Sequence, residues 1–190
     1  MNTKLIEFLN FNKIDFTEKP PEKAEYDHCN FLNCNFYESD ISDIAFSACK
    51  FENCDFSLAR CMNAVFNDVR FINCKLLGLH FDNCNPLLFS VYFENCLIRI
   101  SSFYKLKLKK TKFIQCNLQE ADFTDTDLSG ALFDNCDLQG ALFENTNLEK
   151  ADLYSSYHYS IDPEKNRIRK ARFSKAEIAG LLDKYDIEIL

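Results

Sequence analysis

Nine carboxylates fall between Glu120 and Asp152: Glu120, Asp122, Asp125, Asp127, Asp134, Asp137, Glu144, Glu149 and Asp152. Lys150 is the one base among them, so the stretch carries a net charge of −8. Regularly placed carboxylates can compete for a basic nucleic-acid-binding saddle by presenting charge as phosphates do. The alternative is that Asp and Asn tie down turns and keep a surface solvated. Charge alone does not choose between these. Ten cysteines are the other reactive group. They show no C-x-x-C pair and no paired histidine spacing, so neither zinc nor a disulfide framework is indicated. A Gly-rich phosphate loop, a G-x-S-x-G turn and a metal-ligand constellation are also missing from the sequence. The expectation is no catalytic residue, no metal and no cofactor.

A period of five positions these groups. From Leu88 every fifth residue is large and apolar: Leu88, Phe93, Ile98, Phe103, Leu108, Phe113 and onward to Leu153. In another frame the same beat runs from Tyr26 through Phe31, Phe36, Ile41, Phe46, Phe51, Phe56, Cys61, Phe66, Phe71 and Leu76 to Phe81. The step from Phe81 to Leu88 is seven, so two residues are inserted near Asn85-Pro86. Neither the helical nor the strand period explains five. A square coil does, with one unit per side, twenty residues per turn and neighbouring coils about 4.8 Å apart. The repeats from Ala24 to about Ser155 then make roughly six and a half coils.

In this register the centres point inward and stack, as in Phe93–Phe113–Phe133 and Leu108–Leu128–Leu148. Small residues two places earlier keep the interior from overfilling. Cys29, Cys34, Cys49, Cys54, Cys74, Cys84, Cys96, Cys116 and Cys136 all take that small position, and Cys61 takes a centre. They read as small buried residues. Asn or Gly recurs two places after the centre (Asn33, Asn53, Asn63, Asn73, Gly78, Asn83, Asn95, Gly130, Asn135, Gly140, Asn145), which suits left-handed corners. Every acid from Glu120 to Asp152 points outward.

The rest of the chain sets bounds. Its 190 residues suffice for one domain, and a net charge of −7 argues against a passive nucleic-acid binder. No apolar run is long enough for a membrane span, and the start lacks a signal-peptide pattern, so a cytoplasmic protein is expected. Residues 1–23 read as an N-terminal cap or lead-in that either covers the first coil or, since Phe11 and Phe16 sit in the first frame, forms an irregular extra coil. Residues 24–155 read as the repeat, with its frame shift near 82–88. Residues 156–190 read as a turn, a capping helix and a tail. Ser174 and Glu177 form a capping box for a helix to about Tyr185, with Ile178, Leu181, Leu182 and Tyr185 on one side. Ile187 and Ile189 alternate like a short strand. This terminal set serves as a cap or as a dimer contact.

The repeat resembles that of the pentapeptide repeat proteins over about two-thirds of the chain, and the resemblance implies an all-β solenoid, a right-handed quadrilateral β-helix. The stretches Leu88–Val91, Phe103–Lys110 and Ile161–Ile168 resemble the microcin B17 immunity type, and Leu181–Ile189 is similar to the tails of the quinolone-resistance type. Both types protect bacterial type II topoisomerases, DNA gyrase and topoisomerase IV, from poisons, and several act as acidic mimics of duplex DNA. The resemblance therefore implies a non-enzymatic protector whose partner-binding residues are Glu120, Asp122, Asp125, Asp127, Asp134, Asp137, Glu144 and Glu149. It binds no nucleic acid or membrane directly, and its homodimer forms through Ile178, Leu181, Leu182, Tyr185, Ile187 and Ile189. A scaffold module with another protein partner is the alternative. Two features depart from the pattern. Lys105, Lys107, Lys109, Lys110 and Lys112 form a basic belt, which either orients the rod on a partner or is a solvated face. The chain also has only the two-residue insertion near Asn85 where quinolone-resistance members carry outward loops, which favours a microcin-type or general protective role.

Overall fold

A computed structural model describes residues 4–189. The chain winds as a right-handed quadrilateral β-helix in which every strand pairing is parallel. One side is the sheet β1 (Leu5–Glu7), β3 (Glu25–Asp27), β5 (Ala45–Ser47) and β7 (Val65–Asn67). The second side is a seven-stranded sheet: β2 (Asn10–Asn12), β4 (Asn30–Leu32), β6 (Lys50–Glu52), β8 (Val69–Ile72), β9 (Val91–Glu94), β10 (Lys112–Ile114) and β11 (Leu132–Asp134). Single bridges hold the third side (Asn35 to Asp55 to Lys75 to Leu97 to Asn117 to Asp137) and the fourth (His80 to Ser102 to Asp122 to Leu142). The first side continues upward through Lys107, Asp127, Asn147 and Arg167.

Register follows the beat. Phe31 pairs with Phe51 and Phe113 with Phe133, steps of twenty, whereas Phe71 pairs with Phe93, a step that absorbs the two inserted residues. The inward rings of the second side stack continuously from Phe11 through Phe31, Phe51, Phe71, Phe93 and Phe113 to Phe133, with centroids 4.6 to 5.4 Å apart. A second ladder, Phe81–Phe103–Phe123–Phe143, stacks at 4.8 to 5.2 Å on the fourth side. Rings on the two sides meet edge to face, as Phe113 and Phe123 do at 82°. Both arrangements match the electron-rich face and electron-poor edge of an aromatic ring.

The small inward residues do more than save space. The Cys49 thiol donates to the carbonyl of Tyr26 at 3.3 Å and Cys136 to that of Phe113 at 3.3 Å. Where the position is Thr126 or Ser156, the hydroxyl donates to Phe103 and Phe133 in the same way, each at 2.8 Å. All ten cysteines are buried and free. Burial pushes the Cys49 thiol up to about 12, so it stays protonated and a donor. Of the Asn and Gly corners, all but Asn83 adopt a left-handed backbone.

Asn83 differs because the insertion sits there. Phe81–Asn83 and Pro86–Leu88 wind as two short 3-10 turns, the second closed by Leu87 N–H donating to Asn85 Oδ1 at 3.0 Å. Leu88, read as the first centre of the second frame, is swung outward and 54% exposed. Phe89 takes the inward place, edge-on to Phe66 and Phe81. At the base, Leu5–Glu7 and Asn10–Asn12 are strands of the ladder itself, so the lead-in forms the first coil and does not cover it.

The C-terminal helix is replaced by two 3-10 segments, Ile178–Leu181 and Asp183–Tyr185, and residues 186–189 form no strand. The capping box is only half formed. Glu177 N–H donates to Ser174 Oγ at 3.2 Å, but the Glu177 carboxylate accepts from His158 N–H at 2.9 Å instead of turning back. The cause is proximity to the last coil. Ile161 N–H donates to the Gly180 carbonyl at 2.9 Å, and a Cβ on Gly180 would lie 1.9 Å from the Tyr159 carbonyl oxygen. An α-helix, about 10 Å across, cannot lie that close. Leu181 packs on the core, while Ile178, Tyr185, Ile187 and Ile189 face solvent. Gly180→Ala should therefore lift this strap and destabilise the last coil by about 1–3 kcal/mol. Thermal unfolding together with limited proteolysis at Lys175 and Lys184 checks this; an unchanged melting temperature and cleavage rate would refute it.

Candidate functional site

Twenty-residue spacing sorts the acids by side of the rod. Asp122 and Glu144 flank the inward Phe123 and Phe143 on the fourth side, with Glu120 and Asp125 at its two corners. Asp127 and Glu149 belong to the first side, Asp134 to the second in β11, and Asp137 to the third. The structure thus brings four of the eight expected residues onto one surface and distributes the other four. Asp40, Asp43 and Asp82 lie lower on the fourth side, and Asp162 and Glu164 stand one coil above Leu142 and Glu144. Carrying the twenty-residue register one turn past Glu144 would have found the last two. Acids thus stand on this side in five coils, and the coils of Arg60 and of Ser102–Lys105 between them carry none. A shallow groove of about 480 Å³ crosses this side, lined by His80, Asp82, Tyr104, Glu120 and Asp122.

At the level of single atoms the acids tie down the corners. One oxygen of Asp122 accepts from Thr124 N–H at 2.8 Å, and Asp127, Asp137 and Asp152 accept from Ser129, Gln139 and Tyr154 in the same two-residue turn. The turn uses one carboxylate oxygen; the other is engaged by Lys109 at Asp127, by Gln119 at Asp137 and by Arg172 at Asp152. Several acids are also ion-paired: Glu144 with Lys165 at 2.8 Å, Glu149 with Arg167 at 2.8 Å, Asp152 with Arg172 at 2.6 Å and Asp127 with Lys109 at 3.3 Å. These exposed pairs are each worth little energetically, yet they reduce the charge shown to a partner. Asp122, Asp125 and Asp134 have no ion-pair partner among the described residues.

Cations collect on the neighbouring first side. Lys107 and Lys109 of the basic belt lie there, with Arg167 and Arg169 three coils above, and Lys110, Lys150 and Lys170 occupy the corner it shares with the second side. Lys112 sits in β10 on the second side, and Lys105 stands at the corner of the acidic and basic sides with its ammonium 4.6 Å from the Tyr104 ring centroid. Among the described residues no group of three or more His, Cys, Asp or Glu is placed to hold a metal ion, and no helix is long and apolar enough to cross a membrane.

The chain matches the pentapeptide repeat region family over residues 44–123 and 87–181. No match is found among curated protein sequences. Among solved structures it is similar to QnrB1, a plasmid-mediated fluoroquinolone resistance protein. A trypsin-treated form is 20% identical over 98% of this chain and 92% of that one, with a TM-score of 0.54. The full-length form is 17% identical over 96% and 100%, with a TM-score of 0.50. HetL, a pentapeptide repeat protein involved in heterocyst differentiation regulation from a Nostoc cyanobacterium, is 14% identical over 93% and 89%, with a TM-score of 0.49.

The upper end of the acidic side also latches the strap. The Lys184 ammonium reaches Asp162 at 2.8 Å and Glu164 at 2.7 Å, and its hydrogen bonds hold both carboxyls below their ordinary values. A depressed folded value contributes stability above the ordinary carboxylate range and loses it as pH falls through the lowered value. The strap should consequently stay docked at neutral pH and loosen below about pH 4. Protection factors of Asp183–Tyr185, with intrinsic exchange rates divided out, check this across that range, and Lys184→Met should weaken their fall at low pH; protection independent of pH in the parent chain would contradict the latch.

Proposed function

The chain belongs to the pentapeptide repeat family, and on that premise we propose that it is a DNA-mimicking protein that binds bacterial type II topoisomerase, DNA gyrase or topoisomerase IV, and protects it from a poison. The observation that carries this reading is the run of acids on the upper fourth side, Asp122, Asp125, Glu144, Asp162 and Glu164, with Asp82 and Asp40 below it across coils that carry Lys105 and Arg60. A stiff rod with carboxylates on one side offers a basic saddle a charged surface already in place, so little ordering entropy opposes binding. The sequence resemblance to the microcin-immunity and quinolone-resistance types supports the same partner. QnrB1, which shares the fold, is a fluoroquinolone resistance protein. The role does not draw on chemistry by the chain: its thiols are buried packing donors, and its carboxylates work by charge.

The test is a gyrase supercoiling and cleavage assay with a quinolone and, separately, a microcin-type poison. The parent chain should relieve poisoning, with binding that weakens as salt rises. Changing Asp82, Asp122 and Asp125 to Asn and Glu144 to Gln should abolish the effect. Asn at position 122 keeps the oxygen that accepts from Thr124, so the corner survives. Asp134→Asn with Asp137→Asn, on the second and third sides, should leave protection nearly intact. No binding and no relief at micromolar protein would overturn the proposal and leave a scaffold for another protein partner.

A further inference from the structure

Between Asp40 and Leu142 the fourth side has one unmade rung. In a regular rung here the outward residue's N–H donates to the second inward residue one coil below, and the centre's N–H donates to the outward residue's carbonyl one coil above. Arg60 to Ser39 at 2.9 Å and Ile41 to Arg60 at 2.8 Å make one such rung. Asp122 to Ser101 at 2.9 Å and Phe103 to Asp122 at 2.8 Å make another. Among the described residues Arg60 is bridged to Asp40 and His80 to Ser102, but Arg60 and His80 are not bridged to each other. The N–H groups of His80 and Cys61 and the carbonyl of Ala59 therefore have no backbone partner among them. The sequence and the local backbone explain the gap. His80 leads into the 3-10 turn Phe81–Asn83 with φ −89° and ψ 80°, neither helical nor extended. Cys61 is the small member of the column Ile41, Cys61, Phe81, Phe103, Phe123 and Phe143, and its thiol donates to the His80 carbonyl at 3.0 Å in place of a backbone N–H. A groove of about 370 Å³ opens over the gap, lined by Leu58, Ala59, Cys61, Met62, Gly78 and His80.

We propose that this gap is an anchor pocket for a tyrosine side chain of a protein partner. The unpaired groups set the polar chemistry. Two N–H donors and one carbonyl acceptor border the groove, and a hydroxyl both accepts and donates through one atom. Backbone groups without partners reward a ligand that satisfies them. The charges nearby are already paired, Arg60 with Asp40 at 3.4 Å, Asp82 with the His80 ring at 3.3 Å and Asp43 with Lys23 at 3.1 Å, so the occupant is neutral. The walls set its body. Leu58 and Met62 are apolar and half exposed, Gly78 adds no side chain, and a thioether beside an aromatic ring is a favourable contact. The volume lies at the small end of ligand pockets and admits a single ring. A tyrosine lays that ring on the apolar walls and brings its hydroxyl to the open rung, the combination that makes it common in protein interfaces. The groove shares the fourth side with Asp82 and Asp122, and the pocket stands whether or not the partner there is a topoisomerase.

Titration of the full chain with N-acetyl-tyrosinamide, followed through its amide resonances, tests this. Shifts should gather at Ala59–Met62 and Gly78–Asn83, with a dissociation constant on the order of 1 mM for the lone anchor group. N-acetyl-phenylalaninamide lacks the hydroxyl, leaves the rung unpaired and should bind about tenfold more weakly. Leu58→Asn with Met62→Ser strips the walls while Asn suits the left-handed backbone at 58, so binding should fall about tenfold in a folded chain. Leu142→Ser, at an exposed position higher on the same side, should leave binding unchanged. In the unaltered chain the Cys61 and His80 amides should exchange fast when free and slow about tenfold near saturation, a reading that needs no variant. No shift up to about 10 mM ligand, shifts centred elsewhere, equal affinity for the two compounds, unchanged binding in the double variant, or Cys61 and His80 amides already protected in the free chain would each overturn the proposal.

Discussion

Each inward side chain must lie over its counterpart one coil below, because the backbone of every coil is hydrogen-bonded to the next at a strand's spacing. A ring that slips loses its stack and drags the ladder with it. This explains why the inward residues repeat so strictly while the outward ones vary. It also explains the cysteines. At the second inward position most side chains are short and apolar enough to be buried, and the best of them also donate to a carbonyl one coil below. A thiol has all three properties, as do the hydroxyls of Thr126 and Ser156. Alanine, at 121 or 131, has only the first two.

The same constraint shows how the rod tolerates an insertion. The step from Phe71 to Phe93 is longer than the others, yet their rings stack at 5.4 Å and 12°. The extra residues are confined to two 3-10 turns at one corner, where Pro86 and the Asn85 side chain hold the detour. The interior is mended by exchanging Leu88 for the neighbouring Phe89. The displaced residue is the exposed one, so the core keeps its filling.

The fold was legible in the sequence because inward position, corner and register all follow from a single period. Three things were not, each for a physical reason. Leu88 and Phe89 are equally apolar, and only the direction of the detour decides which turns in. Ser174 and Glu177 have the right types for a helix cap, but local propensity yields to the Tyr159 carbonyl that passes beside Gly180. The acidic block is contiguous along the chain, whereas a partner meets sides of the rod; residues twenty apart are neighbours, and residues five apart face different ways. Sorting by that rule separates Asp122 and Glu144 from Asp134 and Asp137, and it joins Asp162 and Glu164 to the first pair.

The sorting also limits what kind of mimicry is physically available. Duplex DNA is negative all the way around, whereas the upper part of this rod carries Asp122 and Glu144 on its fourth side and Lys107, Lys109, Arg167 and Arg169, interspersed with Asp127 and Glu149, on the adjoining first side. Its field therefore has a direction across the axis as well as a magnitude. A positive saddle that accepts DNA at any rotation about the helix axis would accept this rod in one setting, with the first side turned away from the saddle wall. On the proposed reading, the basic side would cost some attraction and supply orientation. Because the outward residues take no part in ring stacking, either charge can change without disturbing the ladder, provided the corners keep a residue that tolerates the left-handed backbone. Fold and recognition are written on separate positions of the same five-residue unit.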